Sequence, residues 1–182
     1  LGVATNPRLW PSDHRVHEVI TEQGGNENLR AAEVSVFFGE PGVTVPDPFF
    51  GGEGPERAGC THCGGCMVGC RHNAKNTLPK NYLYFAEKRG AAITPDARVE
   101  DIRALPAGQP DGARYAVHYR HSRRLFPRLQ MLRARNVIVS AGTLGTLDLL
   151  FTCRDQRRSL PNLSPRLGER VRTNNESLIG SV

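Results

Sequence analysis

No stretch of this chain comes near the ~18 consecutive apolar residues that a membrane-spanning helix requires. Nothing in it argues for a transmembrane segment. No basic, then apolar, leader of the secretory kind opens it. Aromatics are few, 7% of 182 residues, and none forms a platform among the scattered arginines Arg120, Arg123, Arg124, Arg128, Arg133 and Arg135. A nucleic-acid surface needs stacking rings beside its cations. The net charge of +6 therefore reads as a solvated basic face, and nucleic acid drops out as a partner. Five cysteines, an odd count in a chain of this size, exclude a secreted disulfide framework. Reduced thiols in a cytoplasmic setting fit better. The chain begins at Leu1 rather than methionine and is expected to be a fragment of a larger product.

What is present is concentrated. Cys60, Cys63, Cys66 and Cys70 fall in one run, spaced C-x2-C-x2-C-x3-C. Bacterial ferredoxins use this spacing to hold iron–sulfur clusters. The four thiols are thus candidate cluster ligands, with Cys153 as a remote fifth. No proline follows Cys70, which departs from the ferredoxin pattern. Zinc is a second reading, although two successive two-residue gaps are more crowded than the usual paired knuckles. A third reading is small apolar side chains packing a turn rich in glycine, or redox-labile thiols. These alternatives stay open at this level. His62 and His72 flank the run and read as exposed loop histidines, and Lys75 as a surface lysine.

The pattern elsewhere gives elements. Residues 1–32 read as loop and short helix. Val34, Val36 and Phe38 alternate, predicting a half-buried strand over 32–40. A long loop with four prolines leads from Glu40 to the cysteines. Leu78, Tyr82, Phe85 and Ala86 share a helical face, with Thr77 as N-cap, Pro79 in the first turn and Gly90 as the stop. Short strands are expected at 91–95, 98–105, 113–120 and 129–134. Asn136–Ser140 is a continuous apolar run, as in a strand covered on both faces. It passes through Ala141 and Gly142 into a helix over 143–151, with Leu144, Leu147, Leu150 and Phe151 toward the core. Such a strand–glycine–helix junction can present free backbone N–H groups to a cofactor, or can simply be a turn. Asp148 on that helix reads as part of a solvated face.

Two segments together carry a resemblance. SAGTLGTLDLLFTCRD…LPNLSPRLG and GCRHNAKNTLPKNYLYFAEKRGAAITPDARVEDI resemble the flavin-dependent, cholesterol-oxidase branch of the glucose–methanol–choline (GMC) oxidoreductase family. The resemblance runs from about Phe37 to Thr173. It implies FAD as cofactor, with Val99 meeting the adenine through its backbone and Gly142 approaching the cofactor, flanked by Ala141 and Thr143. It implies, more weakly, that Asp47–Gly54 and Cys66–Cys70 lie near the flavin or the substrate entrance. The family's G-x-G-x-x-G fingerprint is absent, and its catalytic histidine and asparagine are expected beyond Val182. None of the six histidines matches them. The cysteine run is a further departure.

The resulting expectation is an α/β chain with α+β elements. It would hold part of a Rossmann-like FAD/NAD(P)-binding domain and part of a substrate-binding sheet domain. Residues 1–58 would cover the cofactor, 59–153 form the central FAD-binding segment, and 154–182 begin the substrate domain. The whole enzyme would oxidise a secondary alcohol, a 3β-hydroxysteroid such as cholesterol, by hydride transfer to flavin, with oxygen or another acceptor. The rival is an iron–sulfur electron-transfer protein built on the cysteine run.

Overall fold

The computed structural model describes residues 2–25 and 30–173. The chain is an α+β structure that divides into two compact units, Leu1–Ile93 and Thr94–Val182.

In the first unit, very short ribbons tie loops together. β1 (Ala4–Thr5) is followed by helix α1 (Pro11–Glu22) and by β2 (Glu33–Val34), which pairs antiparallel with β1. Pro11 opens α1 where its missing N–H has no helical partner to lose. The Asp13 carboxylate accepts the Trp10 N–H at 2.7 Å, fixing that first turn. The strand expected over 32–40 is reduced to Glu33–Val34 and a single bridge from Val36 to Lys75. The cause is its neighbours. The Phe37 N–H donates to the Ala74 carbonyl and the Phe37 carbonyl accepts from Cys60, so its partners are loops that cannot extend a ladder.

The long loop is built rather than loose. β3 (Thr44–Val45) pairs with β4 (Arg57–Ala58). Between them the Asp47 carboxylate accepts four backbone N–H groups, from Phe49, Phe50, Gly52 and Gly54, at 2.9–3.1 Å. Partial burial opposes its charge, yet those donors hold the carboxyl below its ordinary range. Arg57 is wholly buried. Its guanidinium donates to the carbonyls of Pro55, Glu56 and Lys80 and to the Asn76 side chain. The helix predicted from Thr77 begins late. A 3-10 turn at Leu78–Lys80 precedes α2 (Tyr82–Lys88), whose first N–H is capped by Asn81 rather than Thr77. Gly90 follows it at φ +93°, as expected of a helix stop.

The second unit is a three-stranded antiparallel meander of β5 (Ala97–Ala104), β6 (Tyr115–His121) and β7 (Gln130–Ala134). No strand forms at 91–95, where the chain runs irregularly into a turn at Pro95–Asp96. The register skips one residue between Val99 and Asp101, leaving Glu100 as a bulge opposite the Tyr119–His118 step. The loop joining β5 to β6 is fastened by Arg133, which clasps Asp111 at 2.6 and 2.9 Å and Gln109 at 2.7 Å. That clasp lowers the Asp111 carboxyl to about 2.

After β7 the chain departs from expectation. Asn136–Ser140 joins no sheet among the described residues, and Ile138 is 90% exposed. Continuous hydrophobicity marks a segment that can be covered on both faces; it does not by itself supply the covering strands. Helix α3 (Gly142–Phe151) follows, with Leu144 79% exposed instead of facing the core. A π-turn at Thr152–Gln156 then extends it, closed by the Arg157 N–H on the Thr152 carbonyl at 2.9 Å.

That wider turn carries Cys153, fully buried, beneath β5. Its sulfur accepts the Ile102 N–H at 3.4 Å. Beside it the buried Asp101 accepts from Ser159 Oγ and from Arg103 Nε. Burial disfavours the Asp101 carboxylate, but the Ser159 and Arg103 hydrogen bonds and the nearby positive charge hold it below its ordinary range. A group depressed in the folded state stabilises above its unfolded pKa and loses that contribution as pH falls through the folded value. Asp101→Asn is therefore expected to cost about 2 kcal/mol at neutral pH. In urea titrations at neutral pH and in acid below the ordinary carboxylate range, the difference from the parent should shrink in acid. A pH-independent difference would contradict the charge argument.

Candidate functional site

Each unit carries a cavity that gathers residues singled out by sequence. In the second unit a cleft of about 770 Å³ lies between the start of β5 and helix α3. One wall is Ala97–Glu100, with Ile102 and Val117 behind it; the other is Val137–Ala141, then Gly145, Asp148 and Leu149 of the helix. Val137 and Val139 are half-buried while Ile138 turns out. Val99 and Ala141, distant in sequence, thus line the same cleft. Gly142 and Thr143 line a shallower depression with Ser140, Thr146, Leu147, Val171 and Arg172.

The glycine at 142 is explained by its backbone. It sits at φ +71°, the left-handed region that side chains resist, while a Cβ built there meets nothing within 4 Å. Valine at this position would strain the turn before it blocked any ligand. Gly145 differs. It lies inside the helix without a left-handed φ, and its Cβ would touch only Ala141 Cβ at 3.3 Å.

Three charged groups at the cleft were not legible as a set. Glu100 is placed by the bulge and accepts from Arg120 Nε at 3.1 Å, with Arg157 Nη2 at 4.0 Å. Arg157 arrives through the π-turn. Asp148 is exposed, as expected, but on the cleft wall. A sequence offers a charged side chain at each position, but pairing register and turn width decide where it points.

The donor set suits an adenosine-bearing cofactor. Carboxylates can accept from a ribose diol, Arg157 can face a phosphate, and apolar Val99, Val137 and Val139 offer a surface for a base.

In the first unit a cavity of about 440 Å³ is lined by all four clustered cysteines, His62, His72 and Lys75. Among the described residues, no three His, Cys, Asp or Glu side chains are grouped so as to hold a metal ion. The turn explains why. Gly64 and Gly69 bracket a 3-10 turn at Gly65–Val68 in left-handed conformations, and Cys63 and Cys66 face outward as free thiols. Cys60 and Cys70 are half-buried and accept backbone N–H groups, from His62 at 3.3 Å and Lys75 at 3.5 Å. Burial opposes ionisation of Cys70, but backbone donors at Lys75, His72 and Ala74 and the charge of Lys80 lower its pKa. His62 is half-buried, not exposed, and stacks on Phe38 at 5.7 Å. Lys75 donates to the Cys66 carbonyl at 3.0 Å and so belongs to the turn itself.

Comparison with known proteins adds a separate line of argument. The sequence profile of a family described as GMC oxidoreductase matches residues 55–154. A cholesterol oxidase of Acinetobacter baumannii is 47% identical over 186 residues, covering 99% of this chain and 33% of its own length. Cholesterol oxidases of two Mycobacterium tuberculosis strains, CDC 1551 / Oshkosh and ATCC 25618 / H37Rv, are each 45% identical over 189 residues, covering 100% of this chain and 32% of their own. The chain thus spans about a third of the length of these relatives. No solved structure matches it.

Proposed function

We propose that this chain, which belongs to the GMC oxidoreductase family, supplies part of the FAD-binding region of an enzyme that oxidises a secondary alcohol, with a 3β-hydroxysteroid as substrate. The observation that carries the reading is the cleft that gathers Val99, Ala141, Glu100 and Arg157 in one place. The names of the relatives support the sterol. Bound FAD would supply the hydride acceptor for carbinol oxidation, and oxygen or another acceptor would reoxidise it.

The residues here bind and orient. The Val99 backbone and the Val137 and Val139 side chains would hold the adenine. Glu100 would accept from the ribose hydroxyls, its carboxylate steadied by Arg120. Arg157 would balance phosphate charge. Ala141, Gly142 and Thr143 would bring the start of α3 close to the cofactor. A Rossmann-like arrangement belongs to the same proposal, with Asn136–Ser140 as one of its strands. Residues 59–153 would then be the central FAD-binding segment, flanked by the covering region 1–58 and by the substrate-domain start at 154. Residues 174–182 of that last segment lie outside the described ones. The proton-transferring groups are expected elsewhere in the protein.

Gly145→Leu tests the cleft. Leucine is a better helix former than glycine, so α3 should persist. Its side chain would extend from the cleft wall into the space assigned to the cofactor. The intact protein carrying it is expected to retain less than about a tenth of the parent's flavin, roughly a 1.4 kcal/mol loss or more. Flavin absorbance per protein after desalting reads this out. Undiminished flavin in a folded variant would sink the cleft assignment. Turnover of 3β-hydroxysteroids against simpler secondary alcohols tests the substrate separately.

A further inference from the structure

The turn between β6 and β7 sets two adjacent exposed apolar side chains among arginines. It reads Ser122-Arg-Arg-Leu-Phe-Pro-Arg128. Leu125 and Phe126 stand at its tip, 87% and 85% exposed. Arg123, Arg124 and Arg128 surround them, all exposed. Arg124 and Arg128 form no ion pair among the described residues, and Arg123 has only a loose 3.7 Å contact with Asp96. Two adjacent large apolar side chains thus stand in water with an excess of positive charge around them.

The turn is presented, not collapsed. Its first residue is fastened to the turn before β5, where Ser122 N–H and Oγ both donate to the Asp96 carbonyl, at 2.8 and 3.1 Å. Its far side is fastened by Arg120, whose Nη1 donates to the Pro127 carbonyl at 2.8 Å while Nε holds Glu100. Pro127 removes one donor and stiffens the return. Between these two anchors only the Leu-Phe pair and the arginines project.

We infer that this hairpin tip is a docking element for an anionic lipid surface: Leu125 and Phe126 enter the acyl boundary, and Arg123, Arg124 and Arg128 meet the headgroups. Two apolar side chains are too few for a stable protein interface, which buries roughly 800 Å² per partner. They suffice to seat a loop in a bilayer interface when cations stand beside them. A nucleic-acid backbone would use the arginines but leave leucine and phenylalanine in water. The inference does not depend on FAD or on a sterol substrate.

Cosedimentation of the intact protein with sterol-free vesicles tests it, using phosphatidylcholine alone and phosphatidylcholine mixed with phosphatidylserine. Binding is expected only to the mixed vesicles and should weaken as salt is raised, because the attraction is screened. Arg124→Gln with Arg128→Gln should weaken binding on the order of fivefold per arginine removed. Leu125→Ser with Phe126→Ser should weaken it comparably while leaving the salt dependence in place. Circular dichroism and flavin content should match the parent in both variants, since neither pair supports the fold. Vesicle binding that both variants retain at parental strength would overturn the proposal. So would absence of binding to the mixed vesicles, or a dimer in light scattering that the Leu125→Ser/Phe126→Ser variant abolishes.

Discussion

Gly59→Val is expected to prevent the first unit from folding stably at 37 °C. Gly59 lies where two backbone segments touch. Its N–H donates to the Val43 carbonyl at 3.0 Å, and its own carbonyl accepts from Gly42 at 2.9 Å. A Cβ added here would collide with the Glu40 carbonyl oxygen and sit 2.6 Å from the carbonyl carbons of both Glu40 and Gly39. These are main-chain atoms, so no side chain can swing aside. Even alanine forces the Glu40 turn away and breaks the hydrogen bonds that join it to the start of the cysteine run. The cost should be about 3 kcal/mol or more for alanine and larger for valine, a severe loss against ordinary domain stability. Thermal melts read by circular dichroism measure it. A Tm unchanged within a degree or two would show that the two segments do not approach this closely.

The second large effect is expected at Arg57. This guanidinium is fully buried and donates four hydrogen bonds, three of them to backbone carbonyls in two separate stretches. It joins the end of the long loop to the turn that starts α2. Truncation leaves those carbonyls in a low-dielectric interior without their donor, and it removes a positive charge that feels the Asp47 carboxylate. Arg57→Met keeps much of the volume, so its effect isolates the polar network from the packing. A loss of about 3–5 kcal/mol is expected. Arg57→Lys should recover only part of it, because one ammonium cannot reach acceptors fanned across a planar fork. Chemical denaturation of the three proteins decides. Equal stability of the lysine variant and the parent would mean that charge alone matters there.

Local signals in this chain are legible where a residue's neighbours in sequence are also its neighbours in space. Tyr82, Phe85 and the stop at Gly90 mark α2, and the short strands expected at 98–105, 113–120 and 129–134 appear as β5, β6 and β7. The reading fails where partners come from afar. The Thr77 cap lost to Asn81 because a prolyl 3-10 turn intervened. Asn136–Ser140 has the composition of a covered strand, but composition says nothing of which chain does the covering. The cysteine spacing does not tell which thiols are exposed; that follows from the 3-10 turn between Gly64 and Gly69, which leaves Cys63 and Cys66 in solvent. Gly59 reads as one more small residue in a tight turn, although its reason is a backbone on the other side of the contact. The candidate cleft was half legible: Val99 and Ala141 came from the family resemblance, while Glu100 and Arg157 depend on a slipped register and a widened turn.

The π-turn at Thr152–Gln156 also makes the chain sensitive to length. A turn closed five residues on, instead of four, advances the following residues by a different phase around the axis. Deleting one residue here would let α3 run on as a regular helix, and everything downstream would rotate by about 100°. Cys153 would swing from under Ile102, Ser159 would leave Asp101, and Arg157 would turn away from Glu100. Every amino acid but one would remain, yet the buried contacts would be dialled out of alignment. At this place the number of residues carries structural information that their identities do not.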